Sequence, residues 1–118
     1  MAEIGTAQRV HAFHGKDKHD HNFKVVVVLS GSIDKDTGYV SGVDHKELIS
    51  KLKSVLNKIE DQNLNDILKK DGLKSSGMES IATYVLKRLI SDFPSLKLVK
   101  VWETDDRYAI VYPEDVKG

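Results

Sequence analysis

The most constraining feature of the sequence is an unbroken apolar run at residues 25–29, which consists of four valines followed by a leucine. β-Branched residues favour extended backbone, and an unbroken apolar run is typical of a strand that is buried on both faces. The run therefore predicts a central strand over residues 21–30. Residues 6–14 also have strand character, and the polar residues 15–18 between the two segments predict a hairpin turn.

Two segments in the middle of the chain have helical periodicity. Over residues 48–59, apolar side chains recur every three or four positions, and Asp44 with a glutamate three residues later resembles a capping box. This pattern predicts a helix from Asp44 to about residue 60. A second apolar stripe predicts a helix over residues 78–92, ended by the following proline. The polar residues 61–77 predict a loop with room for a short helical turn.

The end of the chain returns to strand periodicity. Apolar residues alternate with polar ones over 95–103, and a strand over 107–112 follows an acidic turn at 105–106. The resulting order ββααββ predicts the α+β class, with one antiparallel sheet and two helices on one face. A length of 118 residues and a mass of 13.2 kDa predict a single domain over residues 1–118.

The charge balance and the lack of cysteine exclude several classes of function. The chain has 18 basic and 18 acidic residues, so it lacks the positive excess that nucleic acids or membrane surfaces attract. No apolar segment approaches the roughly 20 residues that cross a bilayer, and we expect no signal peptide. Without cysteine, disulfides, thiolate metal sites and cysteine nucleophiles are excluded. We expect a soluble, cytoplasmic protein with no nucleic-acid and no membrane partner.

Four of the five histidines lie between residues 11 and 21. His19 and His21 are two residues apart and share one strand face, and His14 lies across the predicted turn. Three imidazoles with an open fourth position are typical of a catalytic zinc site, although solvated turn histidines would give the same spacing. His11 is expected on the opposite face of its strand. His45 is expected to be exposed in the first turn of a helix.

Several motifs, taken in order along the chain, resemble those of the 6-pyruvoyl-tetrahydropterin synthase and 6-carboxy-tetrahydropterin synthase family. Residues 19–23 resemble the family's His-Gly-His-aromatic motif, and His14 ends a segment that resembles its opening motif. Further resemblances lie at residues 37–40 followed by Asp44, at residues 64–66, at Glu79 and at residues 102–104. The chain is similar to this family over nearly its whole length.

The resemblance implies a fold, a reaction and a set of ligands. Members of the family build the tunnelling fold (T-fold), in which ββααββ subunits join their sheets into a barrel, usually a hexamer of two stacked trimers with active sites at subunit interfaces. By resemblance, His14, His19 and His21 would bind Zn²⁺, and Glu103 would accept two hydrogen bonds from the amino-pyrimidine edge of a pterin or purine-like molecule. The substrate would be dihydroneopterin triphosphate or a related reduced pterin.

The chain departs from the family's pattern where proton transfer is concerned. The family's proton-abstracting cysteine is missing, and the segment before residues 19–21 is shortened. The carboxylates near this segment are Asp17 and Asp20, of which Asp20 should face away from the ligands. Asp61 stands where the family has a histidine that, with an aspartate, activates the cysteine. We therefore take Asp61 and Asp17 as candidate catalytic bases.

Three hypotheses follow from these patterns. The first is a zinc-dependent pterin lyase in which a carboxylate replaces the cysteine base. The second is a catalytically altered homologue that binds zinc and a pterin or purine without synthase activity. The third is an oligomeric scaffold that binds no metal.

Overall fold

The first two strands of the computed structural model, which describes residues 1–116, form one long hairpin. β1 spans Ala2–His14 and β2 spans His19–Gly31, and the two strands pair antiparallel along their whole length. Both are longer than their local patterns predict, because each strand extends by pairing with the other. Gly15 begins the connecting turn with φ +88°, which glycine adopts without strain. The last two residues of the predicted domain lie outside the described residues.

Three helices follow the hairpin. α1 spans His45–Asn57, and the Asp44 carboxylate caps it by accepting a hydrogen bond from the backbone N–H of Glu47 at 3.1 Å, as the sequence predicts. α2 spans Leu64–Lys70, inside the segment predicted as a loop with room for a short helical turn. The sequence did not predict its full extent, because seven residues are too few to show helical periodicity. α3 spans Met78–Leu89. None of the helices within residues 1–116 has the length and hydropathy needed to cross a membrane.

The last two strands complete the sheet near the end of the chain. β3 spans Leu96–Thr104 and β4 spans Arg107–Val111, and the short α4, Pro113–Val116, follows without a sequence pattern that predicts it. The strands lie in the order β1-β2-β3-β4, and every neighbouring pair is antiparallel. The predicted α+β class with one four-stranded antiparallel sheet is confirmed. The closure of several copies into a barrel stays a prediction.

The helices cover one face of the sheet, and the other face is open. Val25, Val27 and Leu29 of β2 are fully buried in one core with the apolar stripes of α1 and α3. Their neighbours Val26 and Val28 point to the open face and are only half-buried. The prediction that the valine run is buried on both faces is therefore wrong for a single subunit, because the helices lie on one side only.

The outer edges of the first and last strands of the sheet are largely unpaired. β1 has backbone hydrogen-bond partners on its outer edge near its end, where the N–H of Asp61 donates to the His11 carbonyl at 2.6 Å and that of Phe13 donates to the Gln62 carbonyl at 3.0 Å. Further back along β1, the His45 side chain contacts the Gly5 carbonyl at 3.1 Å. The remaining edge of β1 and the outer edge of β4 have no strand partner within residues 1–116. Open edges of this kind are available for pairing with another chain.

The cap of α1 can be tested by mutation. Asp44→Ala should lower the free energy of unfolding by about 1 kcal/mol, because it leaves the N–H of Glu47 without its acceptor. Urea denaturation followed by circular dichroism measures the change. Lys46→Ala, at an exposed position of the same helix, serves as the control. Equal stability of the Asp44→Ala variant and the wild type would contradict the capping role.

Candidate metal centre

The β1–β2 hairpin brings three histidines together on the helix-covered face of the sheet. His14 ends β1 and pairs with His19, which begins β2, while His21 lies opposite Ala12. The ring centroids of His14 and His19 are 4.6 Å apart, those of His19 and His21 4.9 Å, and those of His14 and His21 5.1 Å. The three predicted ligands therefore surround one point, and their role as ligands stays a prediction.

The ring of His14 is held in one orientation by the segment before α3. Its Nδ1 donates a hydrogen bond to the backbone carbonyl of Ser76 at 2.7 Å, so Nε2 is the ring nitrogen that faces the cluster. The Nε2 atoms of His14 and His21 are buried and make no hydrogen bond within residues 1–116. Buried polar atoms without a partner are rare in folded proteins, and two that face each other indicate a ligand between them.

His19 is oriented by Asp17 in the turn. The Asp17 carboxylate accepts a hydrogen bond from Nδ1 of His19 at 2.5 Å, which leaves Nε2 available for the cluster. A carboxylate that orients a ligating imidazole in this way is a recurrent feature of metal sites. The hydrogen bond from His19 also holds the pKa of the Asp17 carboxyl below its usual range. The structure thus places Asp17 next to His19, a predicted ligand, and the predicted role of Asp17 as a base stays a prediction.

Glu103 adds a carboxylate to the three imidazoles. Its Oε1 lies 2.8 Å from Nε2 of His21 and 3.7 Å from Nε2 of His14, although the nearer pair is not aligned as a hydrogen bond. One ligand atom from each of the four side chains lies within 4.8 Å of the others. No sequence pattern predicts this closeness, because it depends on the register between β2 and β3.

The donor set fits a zinc ion. Three imidazole nitrogens and one carboxylate oxygen are ligand types that zinc accepts, whereas magnesium and calcium prefer oxygen ligands alone. Burial lowers the pKa of His21 and so favours the neutral imidazole that coordination requires. Since two of the ring nitrogens have no other partner within residues 1–116, the residues present suit such an ion without rearrangement of the backbone.

A second network holds the turn of the hairpin. The side chain of Asn65, in α2, accepts a hydrogen bond from the Gly15 N–H at 3.0 Å and donates one to the Gly15 carbonyl at 2.7 Å. The hydroxyl of Ser76 donates to the same side-chain oxygen of Asn65 at 2.5 Å. Asn65 thereby fixes the residue next to His14. The sequence contained a signal for it only as part of the motif at residues 64–66.

His11 lies on the opposite face, as predicted, and forms a separate cluster. Its Nδ1 is 2.6 Å from Oδ1 of Asp61, and its Nε2 is 2.8 Å from Oδ2 of Asp20. Both carboxylates can only accept, so both ring nitrogens carry protons when the two bonds are made. The hydrogen bonds that His11 donates to Asp20 and Asp61 raise its pKa. Asp61, a predicted base, therefore contacts His11 and not the metal cluster, and Asp20 faces away from the ligands, as expected.

Comparisons with known proteins give one consistent family. A sequence model of the family described as 6-pyruvoyl tetrahydropterin synthase matches residues 3–114. Human 6-pyruvoyl tetrahydrobiopterin synthase is 32% identical over 95 residues, which are 78% of this chain and 64% of the human protein. The matched segment thus spans somewhat less than two thirds of the human protein.

Solved structures agree with the fold. The structure of Caenorhabditis elegans 6-pyruvoyl tetrahydropterin synthase matches with a TM-score of 0.78 and 19% identity, over 94% of each chain. Plasmodium vivax 6-pyruvoyltetrahydropterin synthase matches with a TM-score of 0.68 and 21% identity, over 93% of this chain and 96% of that one. At these identities the structural matches support the architecture of the sheet and helices.

The His11 cluster predicts a pH dependence of stability. Because the folded-state pKa of His11 is raised above 6.5, its stabilising effect is complete below about pH 6.5 and is lost as the pH rises through the folded-state pKa. In buffer with a metal chelator, the wild type should therefore lose more stability between pH 6 and pH 8 than His11→Asn. Melting temperatures measured across this range test the difference.

His45→Asn is the matched control, since His45 contacts the backbone carbonyl of Gly5 and not a carboxylate. It should keep the pH dependence of the wild type. If His11→Asn also keeps that dependence, the two carboxylates do not stabilise a protonated His11.

Proposed function

The chain belongs to the 6-pyruvoyl tetrahydropterin synthase family, and we propose that it is a zinc-dependent lyase acting on dihydroneopterin triphosphate or a related reduced pterin. The observation that carries the proposal is the pair of buried Nε2 atoms of His14 and His21, which make no hydrogen bond within residues 1–116 and face the Glu103 carboxylate. A site built only for structural packing would not leave these nitrogens without partners. The cytoplasmic location and the lack of nucleic-acid and membrane partners stay predictions.

Each residue of the cluster has a distinct task in the proposed reaction. His14, His19 and His21 hold the metal, which when bound would act as a Lewis acid toward the side-chain oxygens of the pterin. Glu103 accepts hydrogen bonds from the amino-pyrimidine edge of the ring and so fixes its orientation. Asp17 keeps His19 in the tautomer that presents Nε2 to the metal.

A carboxylate is proposed to replace the missing cysteine in proton transfer. For one variant of the Plasmodium vivax protein, the glutamate replaced by alanine is described as a catalytic residue. A carboxylate thus has a catalytic role in that protein. In this chain, Asp61 is the stronger of the two candidates, because it contacts His11, and an imidazole can carry a proton near neutral pH. Asp17 is the weaker one, since its lowered pKa makes it a poor proton acceptor.

The alternative is a homologue that binds zinc and a pterin or purine without synthase activity. Two observations favour it: the absence of cysteine, and the hydrogen bonds that already occupy the carboxylates of Asp17 and Asp61. Zinc-loaded protein incubated with dihydroneopterin triphosphate, with products separated by chromatography, distinguishes the two. Consumption of the compound supports the lyase, and binding without consumption supports the alternative.

The ligand set is tested by zinc content. His14→Ala, His19→Ala and His21→Ala should each lower zinc affinity by at least about 100-fold. Changing a residue that only hydrogen-bonds a ligand costs up to about 100-fold, and removal of a direct ligand should cost at least as much. Competition with a chromophoric chelator measures the affinity. His45→Ala should bind zinc as the wild type does, because that residue begins α1 away from the hairpin.

His11→Ala is the more demanding control, since His11 lies only three residues from His14 but on the other face. It should retain zinc. Loss of zinc in this variant, together with retention in His14→Ala, would show that the first ligand has been assigned to the wrong histidine. If the wild type takes up no zinc at all, the metal-free scaffold becomes the better interpretation.

Assembly is proposed as a hexamer, or at least a trimer. The unpaired edges of β1 and β4 would pair between copies, and closed symmetry is the rule for homo-oligomers. Within one subunit, His11 and the metal ligands lie on opposite faces of the sheet, so both can serve one substrate only if copies assemble. Light scattering should give about 79 kDa or about 40 kDa, six or three times the chain mass of 13.2 kDa. A monomer at micromolar concentration would contradict the proposal.

A further inference from the structure

Glu103 lies among the three histidines and not at the rim of the site. We infer that Glu103 is a fourth metal ligand in the pterin-free protein, and that a pterin binds by displacing its carboxylate from the metal. The inference rests on the proposed metal site and deepens it, because it gives one residue two tasks that compete for the same carboxylate.

The surroundings of Glu103 suit a cation. Its side chain is only 13% exposed, and within residues 1–116 the basic side chains that reach it are those of His14 and His21. A carboxylate removed from water is unfavourable unless it is paired. With neutral imidazoles, the cluster has a single uncompensated negative charge. A divalent cation would compensate that charge and would at the same time provide a partner for both unbonded ring nitrogens.

Strand β3 places Glu103 in the cluster. β3 pairs with β4 at Trp102 and Tyr108, and the next pair is Thr104 with Arg107, so Glu103 is an extra residue without a partner on β4. Glu103 points to the same face as the buried Val101. The position of the carboxylate is thus determined by the sheet and not by an exposed loop.

The two tasks of Glu103 compete for the same carboxylate oxygen. Bidentate recognition of an amino-pyrimidine edge uses both carboxylate oxygens, whereas Oε1 already faces Nε2 of His21 at 2.8 Å. The pterin-free site therefore has four protein donors, a number typical of closed zinc sites, and engagement of Glu103 by the ring leaves three, a number typical of catalytic sites. Binding of the ring would in this way free one coordination position on the metal for the side-chain oxygens of the same pterin.

Zinc affinity without any pterin tests the first half of the inference. Glu103→Gln, which keeps the size of the side chain but removes its charge, should lower zinc affinity by at least about tenfold in chelator competition. Asp105→Asn is the matched control, because it removes a carboxylate two residues away that is not part of the cluster. It should bind zinc as the wild type does. Wild-type zinc affinity in Glu103→Gln would overturn the inference.

A crystal structure of the zinc-loaded wild type covers the case in which Glu103→Gln fails to fold. An oxygen of Glu103 should lie about 2.0–2.2 Å from the zinc ion without pterin, and it should move to the ring when neopterin is soaked in. A zinc–oxygen distance beyond about 3 Å in the pterin-free crystal would overturn the inference. So would neopterin bound with Glu103 still on the zinc.

The same measurements separate this inference from the proposed function. If Glu103→Gln keeps zinc but loses neopterin binding, Glu103 is a ring anchor alone; the inference fails and the proposed function stands. If the zinc-loaded wild type binds no neopterin while Glu103→Gln binds zinc weakly, the first half of the inference stands, and the displacement step and the pterin-based function both fail.

Discussion

The register of the β1–β2 hairpin is the constraint on which the site depends. It places His14 opposite His19 and so puts both rings on the same face as His21. A shift by one residue would turn one strand's side chains to the opposite face. Gly15 is part of this constraint, because a Cβ atom at that position would lie 2.7 Å from Cε1 of His19. Asn65 adds to it by holding both backbone groups of Gly15 from the side of α2.

Features that depend on nearby residues could be predicted from the sequence. The hairpin, the cap at Asp44 and the shared face of His19 and His21 all follow from spacings of a few residues. The confirmed α+β class follows from the order of such local patterns. α2 was predicted only as room for a short helical turn within a loop, because a seven-residue helix has too few turns to reveal its apolar side.

Features that depend on distant residues could not be predicted. The approach of Glu103 to His21 requires the pairing of β2 with β3, whose register no local pattern marks. The contact between His11 and Asp61 joins residues fifty positions apart. The exposure of Val26 to the open face depends on where the helices pack, and an apolar run alone does not reveal that. In each case, tertiary packing decides what the local sequence leaves open.

The loss of the family's cysteine does not by itself remove the means of proton transfer. A base must have a pKa near the working pH, and the hydrogen bond from His19 moves the pKa of Asp17 away from that range. The environment of His11 acts differently. Its two carboxylate partners raise the pKa of an imidazole whose ordinary pKa is already close to neutral. The metal cluster and the group best suited to exchange protons thus lie on opposite faces of one sheet. Chemistry that needs both would have to combine the helix-covered face of one subunit with the open face of another.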